Sequence, residues 1–214
     1  ALIKTGPLAE AEEILQKHIE RVQQQRHVSW IASLQKLARI CYYKKEFKRA
    51  GSLLSSLPGK QLQRNALKQA ELNNALDLYL LLANNSESAH LDLLAEGDFL
   101  LARKEVAAAR KKLVMLQADT TAGQLRAAAA LRLAELEYGE QRLRQAAHYY
   151  AWLAGTFPSH IKAPQASCLA GVCHQKMSSE EDAEEWYLHT IETFPATMYA
   201  DEARNRLRNM EKKQ

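Results

Sequence analysis

Apolar and polar positions follow a helical period along nearly the whole chain. LQKLARICYY at 34–43, ALDLYLLLA at 75–83 and LRAAAALRLAELEYG at 125–139 each set apolar side chains three and four residues apart, and alternating β-branched runs are nearly absent. The periodic segments run for roughly 12 to 24 residues. They stop at Gly6-Pro7, Pro58-Gly59, Phe157-Pro158 and Phe194-Pro195, where proline withholds an N–H and pushes the preceding residue out of the helical region. The pattern predicts an all-α chain.

Laid over itself, the sequence repeats. QAAHYYAWLAGTFP (145–158) aligns with DAEEWYLHTIETFP (182–195), matching Ala146 to Ala183, Tyr150 to Tyr187 and Thr156-Phe157-Pro158 to Thr193-Phe194-Pro195 at one offset of 37 residues. Each is preceded by a partner helix, LRAAAALRLAELEYG in one case and PQASCLAGVCHQKM in the other. A constant offset through two helices points to a repeated helical hairpin. Gly97 and Ala109 stand twelve residues apart, as do Gly171 and Ala183, and Ala38 and Ala50. After the second TFP, TMYADEARNRLRNM restarts the pattern and then stops, which predicts a terminal helix covering the last hairpin.

These residues resemble the tetratricopeptide repeat family, which places a small residue in the first helix, an alanine early in the second, a large residue one turn later and a closing proline. The resemblance implies a right-handed α-superhelix, or solenoid, of about five antiparallel hairpins. It divides the chain into N-terminal repeats at 1–58, an irregular long helix at 59–85, C-terminal repeats at 86–195 and a capping helix at 196–214. The spacing departs from the family at one place, because Ala50 and Ala109 lie 59 residues apart, too far for one repeat and too close for two. LAEAEEIL, near the start, reads as the second helix of a hairpin whose first is cut off, so a fragment of a longer protein is expected.

Composition adds limits. With 47% hydrophobic and 25% charged residues the chain can bury a core. Its formal charge of +4 comes from interspersed signs, with only short clusters such as Arg110-Lys111-Lys112, so nucleic acid is not an expected partner. The longest apolar run, Leu78 to Ala83, falls far short of the ~18 residues that mark a membrane span, and no direct membrane insertion is expected.

Candidate chemistry is thin. Residues 167–176, SCLAGVCHQK, gather Cys168, Cys173 and His174, yet on a helix advancing about 100° per residue the two cysteines point about 140° apart. The stretch reads as the close-packing first helix of a repeat, with Gly171 at the contact. Three cysteines form no disulfide framework. No histidine pair has ligand spacing with another strong donor, and no nucleophile elbow, P-loop or zinc-helix motif is present. No cofactor, metal or catalytic residue is expected, and the chain reads as non-enzymatic.

A binding surface is the remaining use. The family's concave positions fall on Gln35, Arg39, Tyr42, Tyr43, Asp98, Glu135, Tyr138, Gln175 and Lys176, mixed charge and tyrosine that suit a protein or peptide partner, and of these Arg39, Tyr42, Tyr43, Glu135, Tyr138, Gln175 and Lys176 are expected to bind it. The family's carboxylate clamp for acidic chaperone tails is absent, since Gln35, Leu94, Asp98, Leu131, Glu135, Cys168 and Val172 stand at most of its positions. The aromatic-Pro linkers are similar to those of bacterial cell-envelope repeat proteins, which leaves periplasm and cytoplasm both open. The reading is a protein-interaction scaffold within a larger assembly. The alternatives are a regulatory or targeting region of a longer enzyme or transporter, and self-association.

Overall fold

The computed structural model describes residues 7–23, 28–55 and 69–212, and among these it contains helices and no strand. Eleven α-helices follow one another: α1 (Leu8–Gln23), α2 (Val28–Tyr43), α3 (Phe47–Ser55), α4 (Gln69–Asn85), α5 (Leu91–Ala102), α6 (Val106–Ala118), α7 (Leu125–Gly139), α8 (Leu143–Thr156), α9 (Ala163–Lys176), α10 (Glu180–Thr193) and α11 (Met198–Glu211). The expected break at Pro58-Gly59, and the first part of the long helix expected at 59–85, lie outside the described residues. The described part of that segment, α4, is a single α-helix.

The chain divides into two compact units, Ala1–Ala109 and Arg110–Gln214. In the first, α1 packs on α2, α2 on α3, α3 on α4, and α2 also on α5. In the second, α7 packs on α8, α8 on α9, α9 on α10, α10 on α11, and α9 also on α11. Successive helices therefore pack as neighbours from α1 to α4 and from α7 to α11, with α2 also on α5 and α9 also on α11. This is the adjacency of a helical repeat.

The repeat is written in the backbone as well as in the sequence. Among the described residues, four non-glycine residues have positive φ: Lys45 (64°), Lys104 (66°), Gln141 (60°) and Ser178 (59°). Each closes the first helix of a hairpin with the same two bonds. The N–H of Gln141 donates to Tyr138 O at 3.1 Å and that of Arg142 to Glu137 O at 2.9 Å; the N–H of Ser178 donates to Gln175 O at 3.1 Å and that of Ser179 to His174 O at 3.0 Å. Lys45-Glu46 and Lys104-Glu105 repeat the pattern. A left-handed residue of this kind satisfies carbonyls orphaned at a helix end and reverses the chain. The spacing from Lys104 to Gln141 to Ser178 is 37 residues twice over.

The same register organises the core. Ala50, Ala109, Ala146 and Ala183, each five residues after a left-handed turn residue, are fully buried. Tyr150 and Tyr187 follow one turn later and are 2% and 0% exposed. Leu113 takes that position in α6. Gly171 faces Tyr187 so closely that a Cβ there would lie 2.6 Å from Cε1 and 2.7 Å from Cδ1 of the ring. The small first-helix residue is thus where the two helices of the last hairpin meet. The terminal helix predicted at 196–214 is α11, and its buried Ala200 and Ala203 stand 37 residues after the buried Ala163 and Ala166.

Candidate functional site

The seven residues expected to meet a partner come from three first helices, and burial separates them. On α2, Arg39 is exposed, whereas Tyr42 is only 2% exposed and its hydroxyl donates to Asp98 Oδ2 on α5 at 3.1 Å. Tyr43 is half-buried, its ring tilted against Tyr42 at 5.8 Å and Phe99 at 5.3 Å between centroids. Tyr42 therefore offers little surface to a partner and instead ties two neighbouring first helices together.

In the second unit Glu135 is exposed on α7, 3.7 Å from Arg132. One turn on, the half-buried Tyr138 ring carries the Lys176 ammonium of α9 at 4.5 Å from its centroid, a cation–π contact between successive first helices. Gln175 Oε1 accepts from the Tyr187 hydroxyl at 2.9 Å and from Arg206 Nη1 of α11 at 3.2 Å. The fold thus brings Tyr138 and Lys176 into contact with each other. Gln175 is held by the residues behind it.

Register explains this grouping. Arg39, Asp98 and Glu135 each stand six residues before a left-handed turn residue, and Tyr42, Tyr138 and Gln175 each stand three before one. Asp98, a concave position outside the seven, and Arg206, which the sequence did not single out, both touch residues among the seven. Asp98 was legible as the register mate of Arg39 and Glu135. Arg206 was not, because only packing of α11 on α9 carries it to Gln175.

The cysteine-histidine stretch resolves into packing. Cys173 belongs to a core shared by α7, α8 and α9, and Cys168 to a separate one shared by α9, α10 and α11. Burial pushes both thiols, and that of Cys41, up to about 11, which leaves almost no thiolate near neutrality. His174 Nδ1 lies 3.4 Å from Asp182 Oδ2.

One buried polar chain has the look of a nucleophile and its base. Ser167 Oγ sits 3.0 Å from His189 Nδ1 and 2.8 Å from Thr190 Oγ1, and Thr190 donates to Trp186 O at 2.7 Å. Either hydroxyl can donate between Ser167 and Thr190, and the His189 tautomer sets the direction of its bond to Ser167. Ser167 and Thr190 are both fully buried, so the hydroxyl chain sits inside the packing of α9 against α10.

Two clusters of charge lie at joints between hairpins. Glu12 of α1 accepts from Lys44 at 2.8 Å and Arg49 at 2.6 Å, with Glu46 also on Arg49 at 2.8 Å. Those contacts, the Lys44 hydrogen bond first, hold the Glu12 carboxyl below the usual glutamate range. Lys44 does the same for Glu46. Glu12, Cys41 and Glu46 bring three ligand atoms within 4.8 Å of one another. The cationic role there is already filled by Lys44 and Arg49, and the thiol stays protonated. In the second unit Arg110 Nε reaches Glu137 at 2.8 Å and Arg110 Nη2 reaches Glu140 at 2.5 Å, while Arg142 pairs with both. Glu137 is only 4% exposed.

No helix among the described residues is long and apolar enough to cross a membrane. No known family model matches the chain, and no curated protein matches it.

Proposed function

We propose that this chain is a non-catalytic scaffold of tetratricopeptide-like hairpins, wound as a right-handed superhelix, that binds a polypeptide partner along its first helices within a larger assembly. The observation that carries this reading is the contact between Lys176 and Tyr138, with Glu135 one turn away. It is a cationic, aromatic and acidic set on the first helices of two successive hairpins. Hydrogen-bonding and aromatic groups at recurring positions suit an extended peptide or a partner helix. The Phe157-Pro158 and Phe194-Pro195 linkers favour a bacterial cell-envelope setting.

Arg39, Tyr43, Glu135, Tyr138 and Lys176 are the residues assigned to the partner, with Gln175 holding the surface from below. Tyr42 is the exception, since it serves the core. The test is quantitative cross-linking capture of the partner by the full chain. Tyr138→Ala, Lys176→Glu and Arg39→Glu are each expected to lower capture at least fivefold while far-UV circular dichroism stays unchanged. Undiminished capture by all three variants refutes the proposal.

A further inference from the structure

By register, α1 is the second helix of a hairpin. The other second helices, α3, α6, α8 and α10, each begin three residues before a fully buried alanine, Ala50, Ala109, Ala146 or Ala183, and α1 begins three before Ala11, itself only 5% exposed. The same register says which α1 side chains a hairpin covers. Four residues after the alanine the other helices carry Leu54, Leu113, Tyr150 and Tyr187, and seven after it α6, α8 and α10 carry Leu116, Leu153 and Thr190, all buried. In α1 these places belong to Leu15 and His18, which are only half-buried. Ile14 beside them is 52% exposed, where its mates Leu53, Lys112, Tyr149 and Trp186 are half-buried.

The other hairpins show what covers such a face. Tyr187 lies against Gly171, and Thr190 Oγ1 lies 2.8 Å from Ser167 Oγ, so both places meet the first helix of their own hairpin, at residues one turn apart. Tyr150 and Leu153 share a core with Ala130 and Ala134, which hold the same two places on α7. Among the described residues no helix precedes α1. The other half-hairpin is finished for water: on α11 the exposed Asn205, Arg208 and Asn209 stand 37 residues after the buried Cys168, Gly171 and Val172. A polar outer face of that kind is what closes a repeat array, and α1 has none at Ile14 and Leu15.

We propose that this face of α1 is a docking site for an amphipathic helix of a protein partner, seated as the first helix of the hairpin. Its chemistry is that of α9: a glycine or alanine against Leu15, and one turn earlier a hydroxyl that gives His18 the kind of bond Ser167 gives Thr190. The small residue lets the two helices approach as they do at Gly171. The polar face of α11 does not fit this description, so the occupant is not the terminal helix of a second copy. The inference rests on the repeat register and is independent of the partner surface proposed above.

The probe is a fluorescein-labelled peptide of residues 163–176, the sequence of α9, carrying Cys168→Ala and Cys173→Ala. Its anisotropy is titrated with the full chain. Saturable binding is expected, at least tenfold weaker for Ile14→Glu, weaker for Leu15→Ala, and within twofold of the parent for Met115→Glu, which alters an apolar side chain 53% exposed on α6. Gly171→Leu in the peptide is expected to weaken binding at least tenfold, because bulk there holds the helices apart. Far-UV circular dichroism checks that each variant folds, and Leu15→Ala keeps the test valid if the glutamate variant does not. Absence of saturable binding overturns the proposal. So do equal losses for Ile14→Glu and Met115→Glu, or undiminished binding of the Gly171→Leu peptide. A dimer in light scattering that Ile14→Glu dissociates would give the face to a second copy and overturn it as well. Tyr138→Ala should leave peptide binding unchanged, so the two proposals fail separately.

Discussion

At the residue scale, Gly171 shows how much a single missing methyl can decide. The preceding hairpin carries Ala134 at the equivalent position, fully buried in the same core as Tyr150, so the register accepts a methyl there. At Gly171 an added Cβ would meet the buried Tyr187 ring at 2.6 Å. Replacing an interior helical glycine by alanine ordinarily gains about 0.5–1 kcal/mol, whereas overpacking a well-filled core costs about 1–3 kcal/mol. Gly171→Ala is therefore expected to lower stability by about 1–2 kcal/mol in urea unfolding. Gly51→Ala, in the interior of α3 with nothing within 4 Å of the added atom, is expected to raise it by about 0.5–1 kcal/mol. Equal shifts of the urea midpoint for the two variants would remove close approach as the reason for the glycine. Buried Tyr187 itself is held by more than contact, since its hydroxyl reaches Gln175 at 2.9 Å.

At the scale of the element, the hairpin turn is the conserved unit of construction. Its left-handed residue is lysine, lysine, glutamine and serine in the four described cases, so local chemistry does not mark it in the sequence, and it was not legible there. A left-handed conformation costs an L-residue roughly 1–2 kcal/mol that glycine avoids, less glycine's own loss of chain entropy. Lys104→Gly and Gln141→Gly are each expected to stabilise the chain by about 0.5–1 kcal/mol, read as a higher urea midpoint with an unchanged slope. Lys45 is a poorer site for the change, because its ammonium pairs with Glu96 at 2.7 Å and Asp92 at 3.2 Å. A lowered midpoint for both variants would mean that these side chains contribute more than their backbone conformation costs.

At the scale of the whole molecule, polar clasps join neighbouring hairpins within each unit. Neither the identity nor the sign of each clasp is uniform: an acid on α1 faces bases beyond it, and a base on α6 faces acids. Acid pH should expose the first of them. The folded-state carboxyls of Glu12 and Glu46 are depressed from the ordinary 4.5, with their Lys44 hydrogen bonds the largest cause. A depressed pKa contributes stability above the unfolded value, and that contribution is lost as pH falls through the folded one. Stability is therefore expected to be flat from pH 7 to about 5 and to fall below pH 4.5. In Glu12→Gln, a weaker chain at pH 7 should show a shallower fall on the acid side. A parallel loss in parent and variant between pH 5 and pH 3 would show that other carboxylates drive the acid transition.

Periodicity and self-similarity by themselves determined the helical class, the 37-residue register and the hairpin contact at Gly171, because each is a local pattern that apolar burial enforces wherever it recurs. The placement of the terminal helix followed from the same recurrence. Tertiary structure alone decided which exposed-looking residues are spent inward, as with Tyr42 on Asp98 and Gln175 on Tyr187. It alone showed that the hydroxyls of Ser167 and Thr190 are buried together beside His189. It also decided which charges meet at a joint, as with Glu12 on Lys44 and Arg110 on Glu137. Those outcomes depend on residues tens of positions apart arriving within 3.1 Å of one another, and hydrogen-bond and ion-pair partnership is set by that arrival, which no local pattern carries.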